Sequence, residues 1–241
     1  MKKLFLLGAM VCAIGMLAAC KGYLKVIKPS LIVSLPTNID FKEFTDIWEL
    51  IDTVPYDEMS NHQRMIVDTC ESNGVLMHFY SPSCSWYCGG IIDTVISSSC
   101  RETDTCSYEG INTHDWSIHS AWVTRPNDYG VGESLTYFLP GNCPRITTVC
   151  ILNGYTRDTN EWQDYSRVKK LKVYYDGKPY AILELQDTRG EQDFDVGLLG
   201  YRDVENHSEW SLKFEILEVY PGKKHQNTAI TELYFDGVDV H

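Results

Sequence analysis

From Val75 onward the chain is a succession of short runs rich in Val, Ile, Leu, Tyr and Phe, each closed off by Gly, Asn, Asp or Pro. The runs are Val75 to Tyr80, Ile91 to Ser97, Leu135 to Leu139, Ile146 to Leu152, Val168 to Tyr175, Tyr180 to Leu185, Phe194 to Val196, Leu212 to Tyr220 and Ile230 to Phe235. Runs of this length and composition read as strands. No stretch of helical periodicity separates one from the next, which excludes βαβ units and leaves a β-sandwich or barrel. Val168 to Tyr175 shows the pattern most clearly. Lys170, Lys172 and Tyr174 alternate with Leu171, Val173 and Tyr175, the two-residue period of a half-buried strand. Asp176-Gly177 then supplies the positive-φ chemistry of a two-residue hairpin turn.

Ahead of this region the texture is helical. Phe41, Phe44, Ile47, Trp48 and Ile51 fall at helical spacing between a capping Asp40 and a stop at Pro55. Met59, Met65, Ile66 and Cys70 repeat the pattern, which Asn73-Gly74 ends. A helical segment over 40–74 is expected, with its apolar stripes packed on a β domain over 75–241.

The first residues read as an export signal. Lys2 and Lys3 precede an apolar run from Leu4 to Leu17, too short to span a bilayer comfortably, and Leu17-Ala18-Ala19-Cys20 closes it. The tetrapeptide resembles a bacterial lipobox. It implies a signal peptide over 1–19, lipidation of Cys20 and a lipidated tether over 20–39; an ordinary signal peptide with an incidental Cys20 is the alternative. Acyl chains anchor firmly, each buried methylene contributing about 0.8 kcal/mol. The expected location is therefore a membrane-anchored lipoprotein of the outer membrane, on its periplasmic or surface face. The formal net charge of −12 argues against nucleic acid and anionic lipid as partners and suits neutral sugars, cations or basic proteins. Cys70, Cys84, Cys88, Cys100, Cys106, Cys143 and Cys150 remain after the leader and the anchor. In an oxidising compartment short-loop pairs such as Cys84–Cys88, Cys100–Cys106 and Cys143–Cys150 are open to them, with an odd thiol left over. Zinc is the competing reading of Cys84 and Cys88, which lack a second spaced pair.

The candidate binding residues cluster before the strand at Val168. Asn153, Tyr155, Trp162, Tyr165 and Arg167 combine amide, aromatic and guanidinium groups, which hold a polar ring such as a sugar. Aromatic faces receive its C–H groups and planar donors receive its hydroxyls. Tyr129 is a further stacking candidate, whereas Trp122 follows small residues at a strand start and reads as core. Arg167 has a second reading, as the ion-pair partner of a carboxylate. No HExxH, nucleophile elbow or singled-out carboxylate pair is present, so a catalytic centre is not expected.

Several motifs in order resemble one family. His114-Asp115-Trp116, Ser120-Ala121-Trp122-Val123 and Tyr129-Gly130-Val131-Gly132-Glu133 open the series. Asn153-Gly154-Tyr155, Arg167-Val168-Lys169-Lys170-Leu171 and Leu185-Gln186-Asp187 continue it. Phe214-Glu215-Ile216, Tyr220-Pro221-Gly222-Lys223-Lys224 and Thr228-Ala229-Ile230-Thr231-Glu232 close it. From about Ile92 to His241 the chain resembles the NADase-type glycan-binding domain, the discoidin-like module also described as the NAD-glycohydrolase translocation domain. The resemblance implies a mainly β fold, a galactose-binding-like (discoidin-type) jelly-roll β-sandwich, here with a small N-terminal helical segment. It implies binding rather than catalysis, and calcium held by Asp115, Ser120 and Glu232. Asn112-Thr113-His114-Asp115-Trp116-Ser117 lacks the second acidic residue the family often carries there, so a turn capped by Asp115 is the alternative. The expected function is non-catalytic carbohydrate binding at the bacterial envelope, through Trp162, Tyr155, Asn153, Arg167 and Tyr129. A protein-interaction or structural lipoprotein is the second reading, and a hydrolase with an unrecognised site the third.

Overall fold

The computed structural model describes residues 23–37, 45–46, 49–51, 53–80, 85–103, 107–126, 128–202 and 205–239. The leader, Cys20, Cys84, Cys106 and most of the first expected helix lie outside the described residues.

Eleven strands join into one hydrogen-bonded sheet that folds back on itself. One half runs β2 (Leu31–Ser34), β9 (Gly190–Leu199), β6 (Ile146–Asn153) and β11 (Thr228–Gly237), with the short β4 (Trp122–Val123) on β11. The other runs β7 (Ser166–Tyr175), β10 (Glu209–Tyr220), β5 (Ser134–Pro140) and β3 (Thr94–Ser97), with β8 (Lys178–Glu184) and β1 (Lys25–Ile27) beyond β7. A parallel seam of only Thr228↔Ser166 and Ala229↔Arg167 links the halves. The remaining pairings are antiparallel except β1 with β8. Between the halves, Trp122, Leu135, Tyr137, Val149, Ile151, Leu171, Val173, Phe194, Phe214 and Phe235 form the core. This is the jelly-roll sandwich that the resemblance implied, within the sandwich-or-barrel class of the strand pattern. Alternation is what makes it closed: on β10 the inward Trp210, Leu212, Phe214 and Ile216 are buried while their neighbours are half-covered. The hairpin between β7 and β8 turns at Asp176 (φ +47°) and Gly177 (φ +70°), as expected from the dipeptide.

Three readings change. Residues 25–34, expected in a tether, supply β1 and β2, which extend both halves of the sheet. Val75 to Tyr80, expected as a strand, is the helix α2 (Gly74–Tyr80), so the helical layer runs past residue 74. A six-residue apolar run carries no period that separates strand from helix. Here Asn73 decides it, because its side chain accepts from Leu76 N like a helix cap. The preceding α1 (Asn61–Ser72) starts on a full capping box between Ser60 and Gln63. Ile66, Val67 and Cys70 of α1 and Val75 and Leu76 of α2 bury against Leu35, Ile118 and Leu152, so the helical layer covers the outer face of the β9–β6–β11 half. Cys143 and Cys150, expected as a candidate disulfide, are separate buried thiols: Cys143 belongs to the sandwich core, and Cys150 pairs with Tyr234 across β6 and β11.

Candidate functional site

Two loop regions carry the polar residues singled out in the sequence. In the first, β6 ends at Asn153, and a turn through Gly154 leads to α3 (Thr159–Asp164), a short helix inside what reads as a loop. Asp158 caps it by accepting from Asn160 N and Glu161 N. Gly154 has φ +90°, and a Cβ there would come within 2.7 Å of both Arg167 and Trp162. Those two side chains lie flat together, the guanidinium 4.6 Å over the indole. Arg167, only 7% exposed, donates to both Asp187 oxygens at 2.7 and 3.0 Å and to the Tyr165 and Trp162 carbonyls. Asn153 is wholly buried; it donates to Val168 O at 2.7 Å and accepts from Val168 N at 2.9 Å, closing the β6–β7 gap. Trp162 Nε1 donates to Asn153 O, and Tyr155 Oη donates to His119 O. The structure thus gathers Asn153, Tyr155, Trp162 and Arg167, but turns their polar groups inward. Asn153, Tyr155 and Arg167 are scaffold and not a sugar-facing rim; the ion-pair reading of Arg167 holds. Trp162 keeps a half-exposed edge. Tyr129 stands apart, half-exposed on the loop that also carries Arg125, with φ +57°.

Beside this scaffold the polar groups point outward. Tyr155 and Tyr165 pack edge to face at 5.6 Å, Tyr108 flanks Tyr155, and His225 lies 4.5 Å from Tyr165. Arg101 sits over Tyr108 and Tyr165 at 5.4 and 5.9 Å and donates to Tyr165 Oη. Arg157 covers Tyr155 at 5.0 Å and pairs with Glu161 at 2.7 Å. Next to Arg101 opens a hollow of about 470 Å³ lined by Cys100, Arg101, Glu102, Arg125 and Pro126. It presents two guanidiniums and one carboxylate, planar donors and an acceptor of the kind sugar hydroxyls require. None of these five was legible as a site, because they come from two separate loops brought together by β3, β4 and β5.

The second region is the loop 112–120. Asp115 Oδ1 accepts from Ser117 N at 3.0 Å and Oδ2 accepts from Ser120 Oγ at 2.6 Å. Glu232, on β11, accepts from the same Ser117 N at 2.9 Å through Oε1. Asp115, Ser120 and Glu232 therefore converge, although 117 residues separate Asp115 from Glu232 in the numbering of this chain. Glu232 is 0% exposed, and its Oε2 is buried with no hydrogen-bond partner among the described residues. Burial pushes its carboxyl well above the usual range, and the nearby Asp115 adds to the rise. A carboxyl oxygen without a hydrogen-bond partner beside a second carboxyl group leaves acceptor capacity unused. Among the described residues no three His, Cys, Asp or Glu side chains gather as metal ligands. The side-chain donors are two carboxyl groups and a hydroxyl, the oxygen chemistry of calcium rather than zinc. The residues fit the ion the resemblance implies.

Residues 86–236, more than half of the chain, match the model of the NAD glycohydrolase translocation F5/8 type C domain. The chain belongs to this family. The match starts at the Trp86 turn, so α1 and α2, like β1 and β2, precede the matched span. Among solved structures, the Clostridium perfringens module CpGH89CBM32-5, in complex with GalNAc-β-1,3-galactose, is 12% identical over 59% of this chain and 94% of its own, with a TM-score of 0.43. The F5/8 type C domain of a Bacteroides fragilis protein is 12% identical over 62% of this chain and 99% of its own, with a TM-score of 0.42. The mycobacterial arabinofuranosyltransferase AftD is 16% identical over 64% of this chain and 11% of its own, with a TM-score of 0.43. These are likenesses of fold. No match is found among curated proteins.

Proposed function

We propose that this discoidin-like domain recognises a carbohydrate without transforming it, and that the hollow beside Arg101 is where the sugar sits. The observation that carries the reading is the set of Arg101, Arg125 and Glu102 lining about 470 Å³, backed by the edge-to-face Tyr108, Tyr155 and Tyr165. Arg101 is held between two aromatic rings, so its fork is oriented before the ligand arrives and little side-chain freedom is lost on binding. Among the described residues a single carboxylate lines the hollow, where glycoside hydrolysis ordinarily uses two. Trp162 and Tyr129, both half-exposed, remain secondary candidates outside its lining. A glycan array probed with residues 23–241 tests the reading. Binding to a defined glycan, reduced at least about tenfold by Arg101→Ala, is expected; no glycan bound, or an unchanged profile in the variant, contradicts it.

In the same reading, calcium is held by Asp115, Ser120 and Glu232 and supplies fixed positive charge that stiffens loop 112–120. The ion completes Glu232 and relieves the repulsion between the two carboxylates. Delivery to the envelope rests on Leu17-Ala18-Ala19-Cys20. Metabolic labelling with a palmitate analogue checks it: the full-length protein takes up label and Cys20→Ala does not. Label retained in that variant would remove the anchor from the account.

A further inference from the structure

The helical layer and the sandwich enclose a second, chemically different pocket. It measures about 220 Å³ and is lined by His78, Phe79, Ser85, Tyr87 and Trp116. His78 and Phe79 come from α2, Tyr87 from the turn that opens the family domain, and Trp116 from loop 112–120. The rings stand at angles around the space instead of stacking. Phe79 and Trp116 are 6.0 Å apart at 57°, Tyr87 and Trp116 4.9 Å apart at 89°, and His78 and Trp116 5.2 Å apart at 56°. Trp116 belongs to all of these pairs, and it holds φ +59°, a left-handed conformation rare for a bulky residue. Strain of this kind persists where surrounding contacts fix it, as Tyr234 does from below at 5.2 Å.

Among the described residues the lining is almost wholly carbon, and no lysine or arginine is part of it. A sugar would leave most of its hydroxyls unpaired there, at a cost for each. An anion would meet π faces and no positive charge. Behind the rings lie acidic groups, of which burial pushes Glu191 and Glu232 upward. Tyr234 stacks on His78 at 5.3 Å and donates to the Glu191 carboxylate. Asp193 lies on the adjoining strand across from Cys150, the charge of Asp236 reaches His78, and Glu232 lies under the Trp116 loop. Burial lowers the His78 imidazole's affinity for a proton, so that ring adds no positive charge near neutrality.

We infer that this pocket is a binding site for a quaternary ammonium group, such as the trimethylammonium of a choline or betaine headgroup, held by Phe79, Tyr87 and Trp116. Such a cation is weakly hydrated, fills an apolar hollow, needs no hydrogen-bond acceptors, and is attracted by ring quadrupoles and by the acidic surroundings. The site is separate from the hollow at Arg101 and does not depend on the carbohydrate reading.

Isothermal titration of residues 23–241 with tetramethylammonium and with choline tests it, alongside the neutral tert-butyl analogue of choline. Saturable binding of both cations is expected, with the neutral analogue at least about tenfold weaker. Phe79→Leu, which keeps the volume near Trp116 apolar, should weaken choline about tenfold while leaving the melting temperature close to that of the parent. Arg101→Ala should leave choline binding unchanged. Equal affinity for the neutral analogue, no saturable heat with either cation, or loss of choline binding in Arg101→Ala would each overturn the inference.

Discussion

Arg167 and Glu232 are buried to a similar depth, yet the two surroundings are opposites. Arg167 is 7% exposed and its guanidinium meets two carboxylate oxygens and two carbonyls. Glu232 is 0% exposed and one of its oxygens meets nothing among the described residues. A buried charge whose partners are all supplied by the chain belongs to the scaffold, however suggestive its residue type. A buried ionisable group left half-satisfied is where a partner from outside has the most to add. The same contrast separates the four inward-turned residues around Gly154 from the outward-turned Arg101, Glu102 and Arg125.

The largest expected effect lies on the completed side. Arg167→Ala removes a bidentate ion pair and the cover over Trp162, and leaves four acceptors unpaired; a loss of about 3 kcal/mol in urea unfolding is expected. A loss below about 0.5 kcal/mol, with changed glycan binding, would move Arg167 from scaffold to ligand contact and break the contrast.

A comparable effect comes from Glu191, the other buried carboxyl group on this face. Burial raises it from 4.5 to about 7, against the opposing hydrogen bond from Tyr234. A carboxyl raised in the native state contributes stability that is full below about 4.5 and is lost as pH climbs to about 7. That loss amounts to on the order of 2–4 kcal/mol in the parent and is absent in Glu191→Gln. His114, lowered to about 4 by burial, acts in the opposite sense in both proteins, losing stability as pH falls. The difference between the two denaturant series therefore isolates Glu191. Parallel curves across this range would show that Glu191 is ionised at no cost, with a cation or water already beside it.

Smaller still is the stability effect at the proposed sugar site. Arg101→Ala should shift unfolding by under about 1 kcal/mol, because the residue is half-exposed and its hydrogen bond to Tyr165 is peripheral to the core. Calorimetric melting reads that value directly. A loss as large as that of Arg167→Ala would place Arg101 among the scaffold residues too.

The strand pattern was readable because β-strand burial follows a local period: the inward residues of β7 and β10 alternate in the sequence as they do in the sandwich. The Asp176-Gly177 turn was readable because its backbone angles require those residue types. Where a segment's fate depends on distant partners the sequence was silent. Leu31 to Ser34 became a strand because β9 offered an open edge. Val75 to Tyr80 became a helix because Asn73 capped it over a prepared apolar face. Residue type at Asn153 and Arg167 suggested a ligand, but only the tertiary structure shows that Val168 and Asp187 answer those groups first. The convergence of Asp115, Ser120 and Glu232 came from the order of the family's motifs, a signal that spacing alone does not carry. The aromatic pocket had no such signal, since α2 precedes the family domain altogether.

The contrast is tested most directly by a calcium titration of residues 23–241 followed by melting temperature at neutral pH, run beside Glu232→Gln. The parent should gain about 2–3 kcal/mol of apparent stability at a hundredfold excess over the dissociation constant, and the gain should vanish in Glu232→Gln while its metal-free fold melts no lower than the parent. A parent that does not respond to calcium, or a variant that responds as strongly, would contradict the account of Glu232 as a charge awaiting its ion.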